Sequence, residues 1–489
     1  MKLKLKKFFA CILLITMVLF PITAFGETKH KKLGSTIDYV QDNFQKWDKV
    51  NLDWLSVGLF AAGEDLASQK WSLLVSRNDE IRDKLLKAAR KTTDIERIIL
   101  GLLAEGKNPR DYKGRDLIRL LKDTQLPNGK FADSISGKGD YLVNSHIWGI
   151  IALHASGENI PNRAEALNWL LNHQNDDGGF SIDTTIDESD VDITGMTLIA
   201  FSALGLNKNY PAVKKALKFL KEQQLDTGGF GSWGLDNAEA IAQVVEGLIS
   251  IGVDPADTEW VKNGENPIDA LLSYQKPDGS FSHLKDESAD IMAIQQSLIA
   301  LSDYYKGESV YERLRKMNIK FVDLPESHWA YQSVKSLVKA GVISGYPDGS
   351  FKPEKKVTRA EFAKLLIYSL NLNKEIGSRT NKFSDLSYSH WANPVVKLAV
   401  DRGLFQGVSK DLFKPEEYIS GAQVMTVLVR ALGKEDEALA HKGKKWYTGY
   451  VKTAETLGLL YSGFKPEDSA TRAQVSYSIY KMKQQKEIK

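Results

Sequence analysis

Gln224-Leu-Asp-Thr-Gly-Gly-Phe230 is the stretch that decides the fold, because the chain returns to it. Gln125-Leu-Pro-Asn-Gly-Lys-Phe131, Gln174-Asn-Asp-Asp-Gly-Gly-Phe180 and Gln275-Lys-Pro-Asp-Gly-Ser-Phe281 share its pattern of Gln, three residues, Gly, one residue, Phe. The terminal phenylalanines follow one another after 49, 50 and 51 residues. A period of that size in a helical sequence marks a repeat architecture. The glycines supply a tight turn with positive φ, the Phe can close the core, and the Gln amide can bond the freed backbone of the turn.

Working outward, each copy is preceded by a one-sided helix and followed by an apolar one. Asn162-Arg-Ala-Glu165 reads as a capping box opening a helix, and Tyr210-Pro211 and Asn266-Pro267 place Pro at a first helical position. After the motifs, helices are expected from Asn144 to Gly157, Asp192 to Gly205, Asn237 to Gly252 and Ala289 to Tyr304. Ile193–Leu204 is apolar nearly all round, so that helix should be buried on most sides. Asp53–Gly63 and Thr93–Gly106 read as two further inner helices, with outer partners near Thr36–Trp47 and Asp79–Arg90. Six hairpins with apolar inner helices close naturally into an all-α double ring, an (α/α)6 toroid over residues 27–320.

The motif resembles the repeat of the prenyltransferase and squalene/terpene cyclase superfamily, well over about residues 110–305 and loosely over 36–106. The resemblance implies the toroid. For activity it points to the Asp-x-Asp-Asp-Thr of class II cyclases, whose middle Asp is a proton donor. Here Asp190-Val-Asp192-Ile193-Thr194 aligns Asp192 with the donor and Asp190 with one neighbour, but Ile193 replaces the last acid. A strong acid needs organised neighbours to stabilise its conjugate base. Against that stands a plain helix start, with Ser189 or Asp190 as N-cap and acids favoured by the helix dipole. Zinc prenyltransferases of the same fold need a Cys ligand, and the sole cysteine, Cys11, lies in the leader described below. No cofactor or metal is expected. Glycan-cleaving toroids place Tyr, His, Asn or paired carboxylates at the bore. Tyr141, Trp148 and Trp233 form a candidate apolar or sugar-stacking wall for a ligand.

At 489 residues the chain exceeds one ordinary core. Its beginning differs from the rest: Lys2, Lys4, Lys6 and Lys7 precede an apolar run from Phe8 to Phe20, then Ala24-Phe25-Gly26. That reads as a secretory signal peptide over residues 1–26, too short for a membrane span. Charge is divided unevenly. Residues 321–489 hold 26 Lys+Arg against 18 Asp+Glu, whereas 8–320 hold 35 against 44. The two parts therefore suggest different partners. No nucleotide loop or nucleic-acid signature stands out.

A second repeat begins at Phe321. Phe321-x-Asp323…His328-Trp329-Ala330 returns as Phe383-x-Asp385…His390-Trp391-Ala392, and Phe351-Lys-Pro353 as Phe413-Lys-Pro415. A shortened third copy keeps Trp446, Gly458-Leu-Leu and Phe464-Lys-Pro466. Thr358-Arg-Ala-Glu361, Ser420-Gly-Ala-Gln423 and Thr471-Arg-Ala-Gln474 are three capping boxes, of which two carry an arginine. These residues resemble the S-layer homology module of bacterial surface proteins, in copies spanning 321–380, 381–440 and 441–489. The resemblance implies that Arg359 and Arg472, with Trp329 and Trp391, line grooves binding an anionic, often pyruvylated, secondary cell-wall polysaccharide. It leaves the middle groove open. The expectation is a secreted, wall-anchored bacterial surface protein displaying a toroid. The toroid binds an apolar or cofactor-like ligand or a surface partner. The alternatives are a terpene cyclase-like or glycan-cleaving enzyme and a structural role in the surface lattice.

Overall fold

Six inner helices close a ring in the computed structural model, which describes residues 22–47, 51–232, 235–346 and 349–487. They are α2 (Asp53–Ala62), α4 (Thr92–Ala104), α6 (Val143–Ala155), α8 (Val191–Ala203), α10 (Ala238–Ser250) and α12 (Ile291–Lys306). Each packs on the next, and α12 returns to α2. Gly63, Gly106, Gly157, Gly205, Gly252 and Gly307 follow them with positive φ, as helix stops require. The outer ring is α1 (Ile22–Asn43), α3 (Ser72–Ala88), α5 (Leu117–Lys122), α7 (Arg163–Asn172), α9 (Pro211–Gln223) and α11 (Pro267–Leu272). The chain thus folds as an all-α toroid of six hairpins. The expected leader falls, up to residue 21, outside the described residues. So does Trp233.

The repeated motif is the joint between hairpins. Phe131, Phe180, Phe230 and Phe281 are fully buried. Gln125 donates to the carbonyls of Gly129 and Pro161, Gln174 to Gly178 and Ala212, and Gln224 to Gly228 and Trp260. Each amide therefore ties its own turn to the segment opening the next outer helix. Gln275 closes the circle by donating to Lys32 of α1, and Thr36 returns a hydrogen bond to the Gly279 carbonyl. Gly279 has φ +90°, and a Cβ there would run into the Ser35 backbone.

Local details explain the rest. Asn266 forms a full capping box with Asp269. The box expected at Asn162 is absent: Asn162 is left-handed (φ 37°) and its side chain makes no cap bond. The turn after Pro161 takes that residue out of the extended conformation a capping side chain needs. Between α8 and α10, Gly195 and Gly247 let the two backbones meet; a Cβ on Gly247 would stand 2.5 Å from the Gly195 carbonyl oxygen.

Helix α13 (Val310–Asn318) leaves the ring and crosses its mouth at the inner helices' C-terminal ends. Arg313 donates to the Ala61 carbonyl at 2.8 Å and to Asp303 at 2.6 Å, His154 meets Glu312 at 3.0 Å, and the Tyr311 hydroxyl donates to Glu246 at 3.1 Å. One short helix thereby touches α2, α6, α10 and α12. Ile319, just beyond it, packs on the second hydrophobic core, which runs from Phe321 to Met482.

That second core holds α14 (Tyr331–Lys339), α15 (Arg359–Ser369), α16 (Asn393–Asp401), α17 (Gly421–Ala431), α18 (Glu435–Ala440), α19 (Thr448–Thr456) and α20 (Arg472–Glu487). Its three copies form a pseudo-threefold prism. At the centre, Val357 N–H donates to Ala470, Ala470 to Ile419 and Ile419 to Val357, at 3.0, 2.8 and 2.9 Å. All three capping boxes form, on Thr358, Ser420 and Thr471. Asp323 accepts from the Phe351 and Lys352 amides, and Asp385 from those of Phe413 and Lys414. That is why Phe-x-Asp and Phe-Lys-Pro recur together.

Candidate functional site

The prism's corners hold the candidate arginines. Arg359 donates to the carbonyls of Phe413 (2.8 Å) and Gln406 (2.9 Å), with its guanidinium over the rings of Phe405 and Phe413. Arg472 makes the same contacts one corner on, to Phe351 (2.9 Å) and Ser344 (2.8 Å), over Tyr346 and Phe351. Each therefore joins its own module to the loop of a neighbour. Arg359 is only 2% exposed, and burial pushes its pKa down to about 10. Arg472 is less enclosed, though burial lowers it too.

Arg472 opens on a groove of about 370 Å³ lined by Tyr346, Glu361, Lys364, Leu365 and Trp391. The structure thus brings Arg472 and Trp391 together from different modules. Trp391 is 51% exposed. Trp329 stands elsewhere, half-exposed, 5.8 Å from the Tyr477 ring on α20. At the third corner Gly421 replaces the arginine, and the nearly buried Tyr461 lies against it.

In the toroid, the candidates gather at the mouth formed by the motif loops. Asp190 caps α8, its Oδ1 accepting from the amides of Asp192 (2.8 Å) and Ile193 (3.0 Å). Asp192 follows in the first turn, half-buried; burial and then Asp190 push its carboxyl up to about 7. Tyr141 is exposed on the rim, while Trp148 lies one turn into α6, with its ring 4.7 Å from Trp54 and 5.8 Å from Tyr311. Trp54, Trp148 and Tyr311 join across the bore, so the aromatic wall includes two residues that the sequence reading did not single out.

Sequence reasoning also missed the polar face of α10. Glu239, Gln243, Glu246 and Ser250 recur at helical spacing in an otherwise apolar helix. Glu239 meets His283 at 2.8 Å, and that bond raises the imidazole's pKa. Glu246 is fully buried and held well above the usual carboxylate range by burial. That spacing was the available signal. Among the described residues, no cluster of His, Cys, Asp and Glu is arranged to hold a metal ion, and no helix is long and apolar enough to cross a membrane.

Comparison with known proteins covers both halves. Residues 320–363 and 382–425 match the S-layer homology domain, and residues 181–300 match the squalene-hopene cyclase C-terminal domain. The third prism copy, beyond these matches, is evident from its place in the hydrogen-bonded triangle. Cell surface glycoprotein 1 of Acetivibrio thermocellus is 31% identical over 187 residues, covering 36% of this chain and 8% of that protein. The cellulosome-anchoring protein of the same organism is 32% identical over 120 residues, covering 24% and 27%. The chain thus spans less than a third of either relative. Among solved structures, the type II terpene cyclase MstE from Scytonema is 13% identical, with 57% of this chain and 99% of that one covered at a TM-score of 0.42. The chain therefore joins a squalene-hopene cyclase-type toroid to S-layer homology modules, and its homologues through those modules are proteins of the bacterial cell-wall surface, where this protein is placed with them.

Proposed function

We propose that this protein is exported by its leader, held non-covalently at the wall by its S-layer homology modules, and displays the toroid as a non-catalytic receptor. The modules, 321–380, 381–440 and 441–489, would grip an anionic secondary wall polysaccharide, pyruvylated at the sites they read. The observation that carries anchoring is the groove beside Arg472, where a guanidinium, Lys364 and the exposed Trp391 ring converge. A guanidinium at a helix start suits a carboxylate, and an indole face suits a sugar. The test is sedimentation of the protein with purified wall sacculi before and after acid extraction of the secondary polymer. Co-sedimentation lost on extraction, and reduced by Arg472→Ala, supports the reading; retention on extracted sacculi refutes it.

For residues 27–320 the receptor reading is supported by the bore itself. One mouth is crossed by α13, the other is rimmed by Tyr141 and backed by Trp148 and Trp54. An apolar or cofactor-like ligand, or a surface partner, fits such a site. A second reading is favoured by one observation: a carboxyl at Asp192 that burial pushes up to about 7 could act as an acid, in a terpene cyclase-like or glycan-cleaving reaction. Product analysis after incubation with extracts of the producing culture separates the two, since an acid catalyst loses turnover in Asp192→Asn whereas a receptor does not depend on turnover.

A further inference from the structure

We propose that the toroid bore, opening at the motif-loop mouth, takes a ligand that carries a protonated amine on an apolar body. This rests on the receptor reading and names the class of its ligand.

The first ground is the stock of unused acceptors. Gln243 is 4% exposed, yet its Oε1 has no hydrogen-bond partner among the described residues. It faces the bore, because it lies on the same face of α10 as Glu246, whose Oε2 accepts from Tyr311, and Tyr311 reaches Trp148 of α6. Asn144 Oδ1 on α6 and Gln296 Oε1 on α12 are likewise buried and unpartnered among the described residues. Three amide acceptors on three inner helices are left wanting donors. Buried polar atoms are nearly always hydrogen-bonded, so such a set calls for a donor-rich guest.

Charge narrows the guest. Asp190, Asp192 and Glu239 stand at the mouth, and both Asp190 and Glu239 act on Asp192 through their charge. Nearby cations are already engaged: Arg97 with Asp94 at 3.1 Å, and His283 with Glu239. An anion would meet repulsion, and a neutral alcohol brings one donor to a site with several acceptors. An ammonium brings three donors and a positive charge, and the Trp54 and Trp148 faces attract cations. The apolar body follows from the rim, where Tyr141, Ile182, Ile186, Leu235 and Met292 are all exposed. Scattered apolar side chains are ordinary; five around one mouth are not.

The test is calorimetric titration of the full chain with decylamine, decanol and decanoate at pH 8, where Asp192 is ionised and the amine still protonated, each below its aggregation threshold. Decylamine should bind at least tenfold more tightly than decanol, with decanoate weaker than both. Gln243→Leu and Asp192→Asn should each remove most of that preference while leaving the circular dichroism spectrum unchanged. Equal binding of amine and alcohol would overturn the ammonium inference and leave the receptor reading standing. Amine binding unaffected by either variant would mark it as nonspecific and overturn the inference too. Binding of none of the three would remove the apolar-ligand reading along with it.

Discussion

Tyr461 and Gly421 occupy together the corner of the prism where the other two corners place an arginine. A Cβ on Gly421 would stand 3.0 Å from the Tyr461 hydroxyl and 2.8 Å from the Lys465 carbonyl oxygen. Tyr461 aligns with Ser344 and Gln406, whose carbonyls receive Arg472 and Arg359 at the other corners. Its ring packs edge-on against Phe464 at 5.2 Å and is nearly buried. The missing arginine and the added ring are thus one exchange.

From that pairing, Gly421→Arg alone should overpack the corner and destabilise the prism by about 1–3 kcal/mol. Gly421→Arg with Tyr461→Ser should recover most of the loss by vacating the ring's place. The check is hydrogen exchange at the Val357, Ile419 and Ala470 amides, whose protection should fall in the single variant and return in the double.

The two arginines should also separate from each other. Arg359 is enclosed and bridges two modules through backbone carbonyls, so Arg359→Ala should cost about 1.5–3 kcal/mol, the range for hydrogen bonds to charged groups. Arg472→Ala makes the same kind of cut at a corner that opens on the Trp391 groove, and should weaken sacculus binding more than it weakens the prism. Exchange protection and co-sedimentation, measured on both variants, read the two effects independently.

Ring closure rests on one turn. Gly279 combines a left-handed φ of +90° with a backbone neighbour, Ser35, where a side chain would go. Gly279→Ala should therefore cost more than the roughly 1–2 kcal/mol of the left-handed conformation alone. The loss should appear as faster exchange along α1, including the Thr36 region that bonds the Gly279 carbonyl. Gly307→Ala is the control: it is also left-handed (φ +64°), but a Cβ there meets nothing within 4 Å, so only the conformational cost should appear.

Much of this architecture was legible because local chemistry repeats. Gln125, Gln174 and Gln224 each clamp their own glycine turn and Gln275 reaches across to α1, so their spacing announces the hairpins; the arginine-bearing capping boxes announce the prism in the same way. What was not legible depends on contacts between distant segments. Tyr311 lies in a short, highly charged helix, and nothing local shows that it ends against Glu246 and Trp148. Trp391 and Arg472 share a groove although 81 residues separate them in the chain. Asp192 was found by its alignment, and its neighbour Asp190 is local, but the further charges acting on it, Glu239 and His283, come from α10 and the fourth motif loop.

Those surroundings give Asp192 a measurable signature. Burial and then Asp190 raise its carboxyl in the folded chain to about 7, against an ordinary value near 4. A raised folded pKa means that the folded state holds its proton longer than the unfolded one. The group's stabilising contribution is therefore full at low pH and is lost as pH rises from about 4 through 7. Asp303, also pushed up to about 7 by burial, acts in the same direction. His146 and His154 oppose both, since burial lowers their pKa values and they cost stability as pH falls below about 6.5. The net profile mixes these groups, so the difference between wild type and Asp192→Asn is the quantity to measure. Asparagine cannot ionise, and the variant should gain stability relative to wild type as pH rises from 5 to 8, by on the order of 3 kcal/mol. Thermal unfolding of both chains across that range tests it. A difference that stays flat with pH would mean that Asp192 is solvated as an ordinary surface carboxylate, and would remove it both as an acid and as a ligand contact.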